Sequence, residues 1–188
     1  MDIRFSGFGG QGIIKSGILI GKAASLHDNK FGTMTQSFGP EARGGACSAQ
    51  VVVDDNPILY PYIVAPEILV SMSQEAYEKF LDDLIPGGIL LTDVDLVKPE
   101  KIRDDVRMYS IPSTRIAEEM GNRIFANVVM VGFFTGITKV ISAESVKAAL
   151  PDSVPERFID VNIKAFERGY DYALELLKKE QSTAKVEA

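Results

Sequence analysis

At 188 residues the chain has room for one domain of ordinary size, and its 46% hydrophobic and 24% charged content is that of a globular core. The net charge of −6, with no dense run of Lys or Arg, excludes a basic face for duplex nucleic acid, and the scattered aromatics exclude a stacking platform for single strands. A single cysteine, Cys47, excludes an internal disulfide and any iron–sulfur cluster held by four cysteines of this chain.

The lone cysteine and the lack of a signal-peptide pattern read as a reducing, cytoplasmic setting. Apolar runs such as 128–134 are far short of the ~20 residues a membrane-spanning helix needs, so no membrane association is expected.

Residues 3–6 read as a short strand, the glycines from Gly7 to Gly12 as a turn, and 13–26 as a helix. Ile14, Gly17, Ile18, Gly21 and Ser25 fall on one helical face, Ile13, Ile20 and Ala24 line a neighbouring one, and Lys15 and Lys22 mark the polar side. Gly17 and Gly21 each cost ~1 kcal/mol in a helix relative to Ala, so their expected use is close packing on a sheet. Residues 33–37 form a second strand, 38–45 a loop, and 46–53 a third strand that alternates and then turns continuously apolar. That loop is too short for a crossover helix, which predicts an antiparallel pair inside a mixed sheet.

Asp-Asn-Pro at 55–57 is a turn, and 68–72, 89–92 and 108–111 are further strands. Residues 73–84 read as a helix with Tyr77, Phe80, Leu81 and Leu84 inward, stopped by Pro-Gly-Gly at 86–88. The last third is helical: 113–120, 126–135, 143–150 with Ser142 as its cap, and 155–179. The expected fold is α/β, a Rossmann-like mixed but mostly parallel sheet flanked by helices, with a helical C-terminal third. One domain over 1–180 and a frayed tail at 181–188 complete the reading.

Gly7, Gly9 and Gly12 satisfy the dinucleotide pattern G-x-G-x-x-G in a strand–turn–helix setting. Glycines let the backbone approach an anion, and a helix N-terminus supplies partial positive charge. The same turn could serve only helix–strand packing. A nicotinamide or flavin site fits poorly, because the acid expected at the end of the second strand is replaced by Thr35-Gln36-Ser37. In the following loop Arg43 could grip a carboxylate or phosphate bidentately, or pair locally with Glu41. His27 reads as a helix-end residue, Cys47 as a small buried hydrophobe, and Asp93 and Asp95 as solvated loop acids. Tyr60, Pro61, Tyr62 and Ile63 suit either a docking face or the core.

Gly-Phe-Gly-Gly-Gln-Gly-Ile at 7–13, together with Gln-Ser-Phe-Gly-Pro-Glu-Ala-Arg-Gly-Gly at 36–45, resembles the gamma subunit of 2-oxoacid:ferredoxin oxidoreductases, nearest to the 2-oxoglutarate branch. Gly-Gly-Ile-Leu-Leu-Thr-Asp at 87–93, the segment 127–132, Asn162, Ala165-Phe166 and Gly169-Tyr170 extend the resemblance over nearly the whole chain. It implies a complex that oxidatively decarboxylates a 2-oxoacid with coenzyme A, giving acyl-CoA, carbon dioxide and reduced ferredoxin. Thiamine diphosphate with magnesium and iron–sulfur clusters carry the chemistry in that family. This sequence lacks the Gly-Asp-Gly signature and the cysteine set for them, so the resemblance puts them on alpha, beta and ferredoxin-like delta partners. A gamma-type chain would close over the active site and help hold coenzyme A, without activity of its own. Gly7, Gly9, Gly10, Gln11 and Gly12 would then cradle the pyrophosphate or pantetheine end, and Gln36, Ser37 and Arg43 would line the substrate mouth. No catalytic or metal-ligating residue is assigned. The small subunit of an indolepyruvate:ferredoxin oxidoreductase, or a stand-alone nucleotide-binding regulatory protein, are the alternatives.

Overall fold

The computed structural model describes residues 1–37, 46–100 and 103–186. Six strands among them pair into one sheet: β1 (Asp2–Phe8), β2 (Phe31–Ser37), β3 (Ala46–Asp54), β4 (Ile68–Ser71), β5 (Ile89–Asp93) and β6 (Arg107–Ile111), in the order β2-β3-β1-β4-β5-β6. Strands β1, β4, β5 and β6 are parallel, with Ile3 level with Ile68, Ile68 with Ile89, and Ile89 with Arg107. Strand β3 runs antiparallel to both β2 and β1, so the short-loop argument for a mixed sheet holds.

Alternation along β1 sends Ile3 and Phe5 to one face and Arg4 and Ser6 to the other. The first face carries the large core, under helices α1 (Ile13–Lys22), α3 (Ser113–Glu119), α4 (Ala126–Thr138), α5 (Ala143–Ala149) and α6 (Ile159–Val186). A smaller cluster on the second face packs Tyr77, Leu81 and Leu84 onto Leu69 and Leu90, below α2 (Gln74–Phe80). The expected helix over 73–84 is thus α-helical only through Phe80, with a tighter 3₁₀ turn at Leu81–Asp83. Arg4, itself buried, pairs there with Asp83 and lies over the Phe80 ring, 4.9 Å from its centroid.

Of the two apolar faces the spacing marked on α1, the one carrying Ile13, Ile20 and Ala24 turns inward, and the other is only partly buried. Ile13, Ser16, Gly17, Ile20 and Ala24 are buried, whereas Ile18 and Ser25 are exposed. A Cβ on Gly17 would meet the Ala49 Cβ at 2.7 Å, so close packing of helix on sheet is real at this glycine. No heavy atom lies within 4 Å of a Cβ on Gly21, and the packing expectation fails there.

Helix α4 is buried continuously from Ala126 to Gly136, because sheet and helices enclose it on all sides. It crosses α6 at glycines: a Cβ on Gly132 would overlap the Phe166 carbonyl, and one on Gly169 the Val129 carbonyl. Two of the family-like segments, 127–132 and 165–170, are therefore the two sides of one backbone-to-backbone crossing. Helicity in α6 continues to Val186, beyond the last leucines at Leu176 and Leu177.

Candidate functional site

Strand β1 delivers the glycine turn to the C-terminal edge of the sheet. Connections leave β1 toward β2 on one side and continue through β4, β5 and β6 on the other, so the turn sits at the topological switch point, where such sheets hold ligands. The Gln11 side chain pins it across that boundary: its Oε1 accepts from the Phe8 N–H at 2.6 Å and its Nε2 donates to the Met72 carbonyl at 2.8 Å. Gly10 has φ 97° and Gly12 φ 78°, both left-handed, which is why the turn is built from glycine. Helix α1 then begins without a side-chain cap and with no acidic residue in its first turn, leaving its positive end uncompensated by the chain.

The five glycine-turn positions divide into two kinds. Gly9, Gly10 and Gln11 line a cleft. Gly7 and Gly12 face protein, because a Cβ on Gly7 would reach the Gln11 Oε1 at 2.5 Å and one on Gly12 the Asn127 Nδ2 at 2.6 Å. Asn127, a buried residue at the start of α4, donates from Nδ2 to the Gly12 carbonyl at 3.4 Å. Its link to the turn escaped the sequence reading because the two lie 115 residues apart along the chain.

The opposite wall comes from the far half of the sheet. Asp93 ends β5 and was expected to be a solvated acid; it is instead completely buried. The Ser113 hydroxyl, the Thr114 N–H at 2.8 Å and the Thr114 hydroxyl at 2.8 Å all donate to Oδ2. The Asp95 N–H donates to Oδ1 at 2.9 Å. Burial of a carboxylate is tolerable only with such a set of donors. Asp95 stays partly exposed and pairs with Arg115. Thr114 faces the cleft together with Leu96, Asn122, Arg123, Ile124 and Ala126, and the enclosed volume is about 520 Å³. Among the described residues of this lining, Arg123 is the cation.

A second cavity of about 380 Å³, among Asp28, Lys30, Lys139, Ser142 and Tyr170, lies away from the glycine turn. Its position before β2 puts it at the opposite edge of the sheet.

Gln36 and Ser37 lie on the same edge as the glycine turn, with Ser37 level with Ser48 and Ser48 level with Ser6. Strand β3 separates them from β1, a lateral step of ~10 Å, and they do not line the cleft. Arg43 and its loop, 38–45, lie outside the described residues. His27 is exposed at the end of the π-helical turn that extends α1. Burial pushes the Cys47 thiol up, in keeping with a packed rather than a reactive sulfur. In the Tyr60–Ile63 stretch, Ile63 is core and Tyr60 and Tyr62 are exposed.

A doubly wound, mostly parallel sheet with a glycine turn, an uncapped helix start and a polar cleft at the switch point defines an α/β protein built to cradle an anionic ligand. Residues 2–172 match the pyruvate ferredoxin/flavodoxin oxidoreductase family, and the chain belongs to that family. Within it the chain is of the gamma-subunit type of the 2-oxoacid:ferredoxin oxidoreductases. It is 51% identical to the 2-oxoglutarate synthase subunit KorC of Methanocaldococcus jannaschii, over 93% of this chain and 95% of that one. The gamma subunit of a keto/oxoacid ferredoxin oxidoreductase from Geobacter sulfurreducens superposes with a TM-score of 0.82 at 38% identity, covering 93% and 98% of the two chains. The 2-oxoglutarate:ferredoxin oxidoreductase of Magnetococcus marinus, solved with 2-oxoglutarate, coenzyme A and succinyl-CoA bound, gives a TM-score of 0.84 at 27% identity. There the match covers 93% of this chain but 31% of that one, so the same fold is one part of a longer polypeptide.

Proposed function

We propose that this chain is the gamma subunit of a cytoplasmic complex that oxidatively decarboxylates 2-oxoglutarate with coenzyme A, giving succinyl-CoA, carbon dioxide and reduced ferredoxin. The identity to 2-oxoglutarate synthase subunits supports the choice of oxoacid. Bond cleavage and electron transfer belong in this reading to alpha, beta and ferredoxin-like delta partners, which carry thiamine diphosphate, magnesium and iron–sulfur clusters. The donor set of this chain does not fit an iron–sulfur cluster. It has one cysteine, and among the described residues no three His, Cys, Asp or Glu side chains converge to hold a metal ion.

Coenzyme A fits better, and one observation carries it: the glycine turn that leads into the uncapped start of α1 shares one cleft with Arg123. A diphosphate is the kind of group that backbone N–H donors at a helix start and a guanidinium hold together. Gly9, Gly10 and Gln11 would receive the pyrophosphate or pantetheine end, with Gly7 and Gly12 fixing the shape of the turn. Gln36, Ser37 and Arg43, on the same sheet edge or following it, would line the mouth toward the oxoacid. The chain's part is to bind and orient the coenzyme and to keep water out.

Kinetics of the assembled complex test this. Arg123→Ala is expected to raise the apparent KM for coenzyme A at least about tenfold, the worth of one charge-assisted hydrogen bond, without changing the KM for ferredoxin. An unchanged KM for coenzyme A overturns its placement in this cleft. Arg43→Ala is expected to raise the requirement for oxoacid or coenzyme A, and unchanged kinetics would remove Arg43 from the mouth.

A further inference from the structure

Asp93 and Thr114 give the cleft a polarity that the glycine turn alone does not. The Asp93 carboxylate is completely buried, and each hydrogen bond it makes among the described residues is received: from the Ser113 hydroxyl, from the Thr114 N–H and hydroxyl, and from the Asp95 N–H. An ionised carboxylate can only accept. The one hydroxyl proton of Thr114 is therefore committed to Asp93 at 2.8 Å. Its oxygen keeps only lone pairs to offer, and Thr114 is half-buried on the cleft wall that faces Gly9 and Gly10.

We propose that Thr114 is a ligand-binding residue of this cleft, held by Asp93 as an obligate hydrogen-bond acceptor. Its partner is a neutral N–H or O–H donor of the ligand. This rests on the reading that coenzyme A occupies the cleft. A phosphate has no proton to give there at neutral pH and is disfavoured beside an acceptor backed by a carboxylate. The anionic groups are thereby directed to the glycine-turn N–H groups and the Arg123 guanidinium rather than to Thr114. The amide, hydroxyl or amine groups of the pantetheine and adenine portions are sorted toward Thr114. Asp93 touches no ligand atom in this arrangement; it is a positioning residue that sets which way the Thr114 hydroxyl points. The same carboxylate holds the Thr114 N–H, so the start of α3 and the orientation of the side chain are fixed by one group.

Thr114→Val in the assembled complex removes the acceptor at nearly constant volume. The KM for coenzyme A is expected to rise about three- to tenfold, the net value of one neutral hydrogen bond, and the KM for the oxoacid is not. Thr114→Ser keeps a hydroxyl that can donate to Asp93 and should restore the KM for coenzyme A. A role confined to helix capping would lower the melting temperature of Thr114→Val and leave that KM alone, which overturns the proposal. Should Thr114→Val not assemble, Thr114→Ala asks the same question with a smaller, unbranched side chain, the backbone N–H bond to Asp93 being kept in both. The two failures are separable. If Arg123→Ala raises the KM for coenzyme A and Thr114→Val does not, the acceptor role falls and the placement of the coenzyme stands. If neither variant raises it, both fall.

Discussion

Helical glycines that look alike in the sequence have opposite expected responses to a methyl group. Gly132 and Gly169 sit where α4 and α6 touch backbone to backbone, and the atoms a Cβ would overlap are carbonyls that cannot swing aside. Gly132→Ala should therefore force the helices apart and cost about 4 kcal/mol or more, at the severe end for one residue. Gly21 is helical with open space around its Cβ position, and Gly21→Ala should stabilise the chain by about 1 kcal/mol. Denaturant midpoints of the purified chain read both; a Gly132→Ala variant with an unchanged midpoint would contradict the crossing. The sequence could not separate these cases, since a glycine's neighbours across a helix pair are set by a segment more than thirty residues away. Asp93 was misread for the same reason. A carboxylate after a strand is ordinarily solvated, and what buries this one is a trio of donors at Ser113 and Thr114 that only the return of α3 supplies.

Elements carried more of their own signal. Ser142 was legible as a cap and accepts from the Ser145 N–H at 3.1 Å, because an N-cap is a local bargain between neighbouring residues. The inward face of α1 was less legible, since isoleucine and leucine occur on several sides of it and the period alone cannot choose among them. What anchors the end of that helix is Asp28. Its carboxylate accepts from the Ser142 N–H at 3.3 Å and the Ser145 hydroxyl at 2.6 Å, tying α1 to α5. Burial works to raise its pKa, but the hydrogen bonds from Ser145 and Ser142, with Lys30 nearby, outweigh burial and hold it below the usual carboxylate value. A folded-state pKa below the unfolded one stabilises the fold at pH above about 4 and loses that contribution as pH falls through the folded value. Asp28→Asn should therefore be less stable than the parent at pH 7, and the gap should narrow at a pH well below the usual carboxylate value. Parallel urea titrations at the two pH values measure it; a gap that stays constant would remove the ionised form of Asp28 from the account.

At the scale of the whole molecule, the cleft is a convergence of segments. The glycine turn is contiguous and was readable on sight. Leu96, Thr114, Asn122 and Arg123 reach the same space from beyond β5, from α3 and from the turn before α4, so no local pattern could have named them. The mixed sheet was readable because a loop length decides a strand's direction. The end of the chain raises a related question of which residues the fold requires. The family match closes at residue 172, whereas α6 runs on to Val186. Phe166 and Ala173 are buried, Tyr170 stacks on Phe166, and the Tyr172 ring lies 5.9 Å edge-on from Phe133, so α6 belongs to the core through at least Ala173. From Lys178 to Ser182 every side chain is exposed. That stretch holds its helix by propensity of Lys, Glu and Gln rather than by burial. Truncation after Glu180 should then leave the unfolding midpoint of the chain unchanged. Truncation after Glu167 removes Gly169 from the crossing along with Tyr172 and Ala173, and should leave a chain without cooperative unfolding. A midpoint lowered by the first truncation would show that residues beyond Glu180 support the core.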